Sequence, residues 1–129
     1  MPRSSPEILR LRLRRDRSAP RRVRRALEQV DAIGRIRDDA ILVASELATN
    51  ALRHAYDDGP DEIELVAELV PDGVRIAVTD TGASDPEGGP RPAGAAEPDR
   101  ISLRIVQAIA RRWGTERVDG HRTWAVLAI

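Results

Sequence analysis

Residues 63–80 read IELVAELVPDGVRIAVTD, two strand-length runs on either side of Pro71-Asp72-Gly73. Proline presets one backbone angle and glycine permits a positive one, so the middle is a turn and the runs pair as an antiparallel hairpin. That hairpin commits the centre of the chain to a sheet. In the second run Val74, Ile76 and Val78 share one face, and the period of two carries Asp80 onto the same face at the strand's end. A carboxylate aimed toward a core is costly unless it is hydrogen-bonded, either within its own turn or by a ligand. An exocyclic amine such as that of adenine would satisfy it.

The segment ILVASELATNALRHAY, residues 41–56, has a helical period. Ala40, Ile41, Ala44, Leu47, Ala48, Ala51 and Ala55 collect into one stripe, and Asp39, Glu46, Asn50 and Arg53 fall in a sector roughly opposite. Glu46 and Asn50 stand one turn apart, close enough to reach one ligand. A glutamate accepts a proton or orients a water, and an asparagine carbonyl coordinates a hard cation. The same spacing also describes a solvated helix face.

Around these two segments the chain reads strand, two helices, hairpin, loop, helix and two strands. Ile8-Leu9-Arg10-Leu11-Arg12-Leu13-Arg14 alternates leucine with arginine, as an edge or one-sided strand does. Ser18 as cap and Pro20 in the first turn start a helix expected to continue over Arg21 to Ile33 and stop at Gly34, with a second helix from about Arg37 to Tyr56. Residues 81–100 hold four Gly and four Pro without apolar periodicity, and a loop this long in a compact domain is a candidate lid over a site. A third helix is expected from about Ile101 to Arg112, burying Ile105, Val106, Ile109 and Trp113 and stopping at Gly114. Strands near Thr115–Asp119 and Arg122–Ile129 close the chain through Asp119-Gly120. This order implies an α+β, two-layer sandwich with helices on one face of a mainly antiparallel mixed sheet.

Length and charge narrow the class. The 129 residues suit a single domain, and 41% apolar content suits a globular one. Without cysteine there is neither a disulfide framework nor thiolate chemistry, and with no export signal or membrane-length apolar run the expected place is the cytoplasm, away from the membrane. The zero net charge conceals a split: residues 1–37 hold 12 Arg and 4 acids, the remainder 9 Arg and 17 acids. All basic residues are arginine, which excludes a phosphate loop ending in lysine. The arginine-rich end reads as a solvated surface, or else as a surface for an acidic partner or a homodimer. The absence of interleaved aromatics disfavours direct nucleic-acid binding. His54 and His121, without cysteine or a matched carboxylate cluster, do not make a zinc site, and Trp113 and Trp124 read as core anchors.

Taken together, ELATNALRHAY and VTDTG, some thirty residues apart, resemble the N box and first glycine-containing box of the GHKL ATP-binding domain shared by gyrase, histidine kinases and mismatch-repair ATPases. LRIVQAIARRWG is similar to that family's helix after the lid, and Gly120 to Trp124 to its closing strand. The likeness covers about residues 19–129 and is nearest to bacterial anti-sigma factor serine kinases. It implies the Bergerat type of sandwich, with ATP and Mg²⁺ as ligands. By this resemblance Asn50 coordinates magnesium, Glu46 is the general base, and Asp80 with Gly82 receives the adenine amine. Arg100, Ser102 and Leu103 fall where the family meets the ATP phosphates. The implied reaction is phosphoryl transfer to a serine of an anti-anti-sigma partner, coupled to sequestration of a sigma factor. The chain departs from the family where a Gly-Arg-Gly-Leu type segment is usual and Arg100-Ile101-Ser102-Leu103 stands instead. That departure leaves a second reading, a degenerate GHKL module that binds a sigma factor or its antagonist without catalysis.

Overall fold

The computed structural model describes residues 6–53, 62–81, 96–118 and 120–129. Five strands, β1 (Glu7–Arg14), β2 (Glu62–Val70), β3 (Gly73–Thr81), β4 (Arg112–Val118) and β5 (Gly120–Leu127), form one sheet in the order β1-β2-β3-β5-β4. Every pairing is antiparallel, so the expected sheet carries no parallel pair among its described strands. The hairpin register sets Ile63 opposite Asp80, Leu65 opposite Val78 and Ala67 opposite Ile76. Those residues, with Leu13, Val74, Ala125 and Leu127, line the helix-facing side and belong to one buried cluster, apart from Asp80 at its end. Burying a side chain the size of leucine or isoleucine stabilises a fold by about 1.5–3 kcal/mol. The alternation read from the sequence is therefore enough to decide which face turns inward.

The hairpin turn is anchored to the end of the chain. Gly73 has φ 151°, and a Cβ there would lie 1.9 Å from the Leu127 carbonyl oxygen, so only glycine fits. Next to it, Arg112 donates from Nε and Nη2 to the two carboxylate oxygens of Asp72 at 2.9 and 3.0 Å. Those hydrogen bonds hold the Asp72 carboxyl below the usual aspartate range.

Helix α1 (Ala19–Glu28) buries Ala19, Val23 and Leu27, spaced by four, against the core. Its start differs from the expected cap. The Ser18 side chain makes no capping bond, because its hydroxyl and its backbone N–H both donate to Asp16 Oδ1. Its end differs as well: the helix stops at Glu28 and Val30 is extended, so the expected continuation to Ile33 is replaced by a short 3-10 segment, Asp31–Ile36. Gly34 kinks that segment at φ 41°, and the Arg37 guanidinium donates to the Val30 carbonyl at 3.0 and 3.3 Å. A side chain thus satisfies the carbonyl that the break exposes.

Helix α2 (Arg37–Arg53) packs against α1, α3, β3 and β5. The described part of the expected helix matches it, while His54 to Tyr56 lie outside the described residues. Helix α3 begins at Ala96 and ends at Ile109, earlier at both ends than expected. The loop expected over 81–100 is shortened accordingly, since Thr81 closes β3 and 96–100 are helical. Of that helix, Val106 is fully buried and Leu103, Ile105 and Ile109 are half-buried.

Trp113 and Gly114 belong to β4 rather than to a helix end. Trp113 packs against the core from the sheet edge, whereas Trp124 departs from its expected role. Thr123, Ala125 and Leu127 take the inward phase of β5, so Trp124 projects from the outer face, with the guanidiniums of Arg75 and Arg112 over its ring at 5.5 and 5.6 Å. A Cβ at Gly114 would come within 3.0 Å of that indole. Around the tryptophan the outer face is a lattice of ion pairs, including Arg10–Glu64 at 2.9 Å, Arg75–Glu68 at 3.2 Å and Arg122–Glu116 at 3.1 Å.

Candidate functional site

Among the described residues three polar side chains are buried on the helix side of the sheet: Asn50 (2% exposed), Asp80 (1%) and Thr123 (3%). They come from the three elements at the middle of the sandwich. α2 supplies Asn50, β3 supplies Asp80 and β5 supplies Thr123. Thr123 pairs with Val78, and Asp80 lies two residues further along β3 on the same face, opposite His121. This diagonal relation puts the β-carbons of Thr123 and Asp80 on the order of 7 Å apart.

The position of Asn50 corrects the helical-wheel reading. Asn50 follows Val43 by seven residues and Leu47 by three, and both are fully buried. It therefore lies within the buried stripe rather than opposite it. The apolar arc of α2 is broad because the helix is covered by the sheet and by α1 and α3 at once. Glu46 is half-buried at the border of that arc, and Asp39, expected in the same sector, is exposed. The Arg53 side chain and Ala55 lie outside the described residues. The acid and amide thus differ in surroundings: Asn50 is enclosed, and Glu46 keeps access to solvent.

Asn50 Nδ2 donates to Thr123 Oγ1 at 3.3 Å. This contact orients the amide and leaves Asn50 Oδ1 buried without a hydrogen-bond partner among the described residues. A buried carbonyl without a donor costs about 1–3 kcal/mol, so such an atom marks a place that a cation or a ligand donor can fill. The donor set fits a hard cation such as Mg²⁺, which takes oxygen ligands and needs few from the protein when phosphates and water supply the rest. Among the described residues no three His, Asp or Glu side chains cluster to hold a metal by themselves. Asn50 would be the single amide ligand.

The other expected site residues are distributed as follows. Asp80 is buried on the inward face, as its phase in β3 requires. Gly82 lies outside the described residues. Arg100 and Ser102 fall within the span of α3, although their side chains lie outside the described residues, and Leu103 is half-buried against the core. Thr123 was not singled out from the sequence, although a hydroxyl in the inward phase of an otherwise apolar strand was a usable signal. An open groove at the hairpin turn, lined in part by Leu69, Pro71, Arg111 and Ile129, sits at the other end of β3 from Asp80. Its charged pair, Arg111 and Asp72 at 3.6 Å, is already engaged.

The central helix and two middle strands of this α+β sandwich thus enclose an amide, a carboxylate and a hydroxyl beside an otherwise apolar core. The histidine kinase-like ATPase domain family matches residues 9–127, nearly the whole chain, and the protein belongs to that family. This places it in the GHKL superfamily of ATP-binding domains. A comparison with curated proteins found no match. No helix among the described residues is long and apolar enough to cross a membrane.

Proposed function

We propose that the protein is an ATP-dependent regulatory kinase of the anti-sigma type, transferring the γ-phosphoryl group of ATP to a serine of an anti-anti-sigma partner. The observation that carries this reading is the buried Asn50, its Oδ1 without a partner among the described residues, held by Thr123, which stands on the same sheet face as the buried Asp80 and diagonal to it. In this reading the Asp80 carboxylate accepts a hydrogen bond from the adenine amine, Gly82 allows close approach of the ring, and Asn50 Oδ1 faces the phosphate end. Asn50 Oδ1 would hold Mg²⁺ there, and the ion would supply positive charge to offset that of the phosphates. Glu46 removes the proton from the serine hydroxyl as the serine oxygen bonds to the γ-phosphorus and the bond to the bridging β–γ oxygen breaks, releasing ADP. Arg100, Ser102 and Leu103 stand where the post-lid helix would meet the phosphates. A half-buried position suits Glu46, which must meet both a partner's serine and the nucleotide.

A second reading is a nucleotide-independent module that binds a sigma factor or its antagonist. The sequence Arg100-Ile101-Ser102-Leu103, without glycine, favours it. Calorimetric titration of ATP and ADP with Mg²⁺ into wild type, Asn50→Ala and Asp80→Asn tests the site. Binding to wild type that is weakened in both variants supports the proposal, and no heat and no thermal shift in wild type at saturating nucleotide defeats it. Transfer of labelled γ-phosphate to a cognate antagonist, lost in Glu46→Ala, then separates the kinase from the module.

A further inference from the structure

Two groups of arginines among the described residues differ in their partners. On the outer face of the sheet Arg10 is matched with Glu64, Arg75 with Glu68, Arg112 with Asp72 and Arg122 with Glu116. Those on α1, with Arg17 in the turn before it, are not. Arg17, Arg21, Arg22, Arg24 and Arg25 are exposed, and none forms an ion pair with another described residue. Burial of Ala19, Val23 and Leu27 fixes the rotation of α1, so Arg21, Arg22, Arg24 and Arg25 must occupy its outward arc. Like charges three and four apart weaken a helix, and the one acid of this helix, Glu28, forms no ion pair with a described residue. Asp16, the one acid between Arg14 and Arg25, has its carboxyl held below the usual range by Ser18 and, to a lesser degree, by Arg22 and Arg14.

We infer that the outward face of α1, with the turn before it, is a docking surface for a short acidic polypeptide segment. Guanidinium forks match carboxylates in paired geometry, and a ten-residue helix offers a strip about 15 Å long, the reach of a few carboxylates. Exposed acids border the strip: Glu28 at the end of α1, and Asp38 and Asp39 where α2 begins. A duplex, with a phosphate charge about every 1.7 Å along its axis, would run past the strip onto those acids. A short peptide would not. Insertion into a lipid surface is opposed because the apolar side of α1 is already consumed by the core.

The inference does not depend on the ATP-site reading. Its test uses the whole chain, a labelled Glu/Asp-rich peptide, its Gln/Asn counterpart, duplex DNA and anionic vesicles, each at low and high salt. The variant is Arg21→Glu/Arg25→Glu, two exposed positions whose change leaves the core intact. The expected result is binding of the acidic peptide alone, weakened by salt and reduced about tenfold or more in the variant, with melting temperature and any nucleotide-induced thermal shift retained. Peptide affinity that is absent, or that is unchanged by the charge reversal, overturns the proposal. So does tighter binding of the duplex or the vesicles that is lost in the same variant.

Discussion

Replacing Asn50 by leucine separates the cost of the site from its use. Leucine puts two methyl groups where asparagine carries Oδ1 and Nδ2, so the shape of the side chain is nearly kept. The substitution deletes the 3.3 Å hydrogen bond to Thr123 and leaves the buried Thr123 Oγ1 without that donor, a loss of about 1–3 kcal/mol, and slight overpacking costs about 1 kcal/mol more. Against this, it removes a buried carbonyl without a partner, worth about 1–3 kcal/mol, and buries two methyls at about 0.8 kcal/mol each. The two buried-polar terms nearly cancel, and the remaining balance favours the variant by roughly 0.5 kcal/mol, a rise in melting temperature of about 2 °C for a chain of this size. Thermal denaturation without nucleotide reads this directly. Repeating it with Mg²⁺ and ATP should show a ligand-induced shift in wild type and none in Asn50→Leu. A variant less stable than wild type by several degrees in the absence of nucleotide would refute the reasoning, because Oδ1 would then already be satisfied within the protein.

Other perturbations address neighbouring parts of the same structure. Thr123→Val keeps the shape of that side chain but removes the acceptor for Asn50 Nδ2, so nucleotide affinity should fall and stability should drop by about 1–3 kcal/mol, and Thr123→Ser should restore affinity in the same calorimetric assay. Gly73→Ala places a methyl group 1.9 Å from the Leu127 carbonyl at φ 151°, and a loss of about 3 kcal/mol or more is expected in urea unfolding. The Asp72 carboxyl is held low by Arg112, so its contribution to stability is complete above the ordinary aspartate pKa and is lost as pH falls through its depressed folded value. Urea midpoints measured across the acid range should therefore decline less steeply in Asp72→Asn than in wild type, and parallel declines would show that the Arg112 contact contributes nothing.

The legible parts of the fold were those in which one period dominates. The hairpin over 63–80 was readable because its alternation is nearly unbroken and Pro71-Asp72-Gly73 interrupts it once. Asp80 was readable for the same reason, as its phase alone turns it inward. The end of α1 was not, because Val30 and Ile33 continue the apolar spacing while the backbone has already left the helix. Trp113-Gly114 imitates a helix tail and its stop, and only pairing with Trp124 and Ala125 across the sheet makes it a strand. Trp124 was misplaced by its size: hydrophobic bulk suggested the core, whereas strand phase put it outside under two guanidiniums. Asn50 was singled out but assigned to the wrong arc, since a single helix does not reveal how many neighbours will cover it. The partnership of Asn50 with Thr123 spans 73 positions and could emerge only from the folded topology.

Strand β1 has a consequence for the protein at high concentration. Among the described strands it is an edge, with one side of its backbone lacking a neighbour. Two copies laid edge to edge, antiparallel and with their faces in phase, would set Arg10 against Arg10, or Arg10 against Arg12, according to the register. The carboxylates that neutralise these arginines, Glu62 and Glu64, are on the far side in β2, where the second copy cannot share them equally. The leucine face thus builds the core, and the intervening arginines make growth of the sheet from one molecule into the next electrostatically unfavourable.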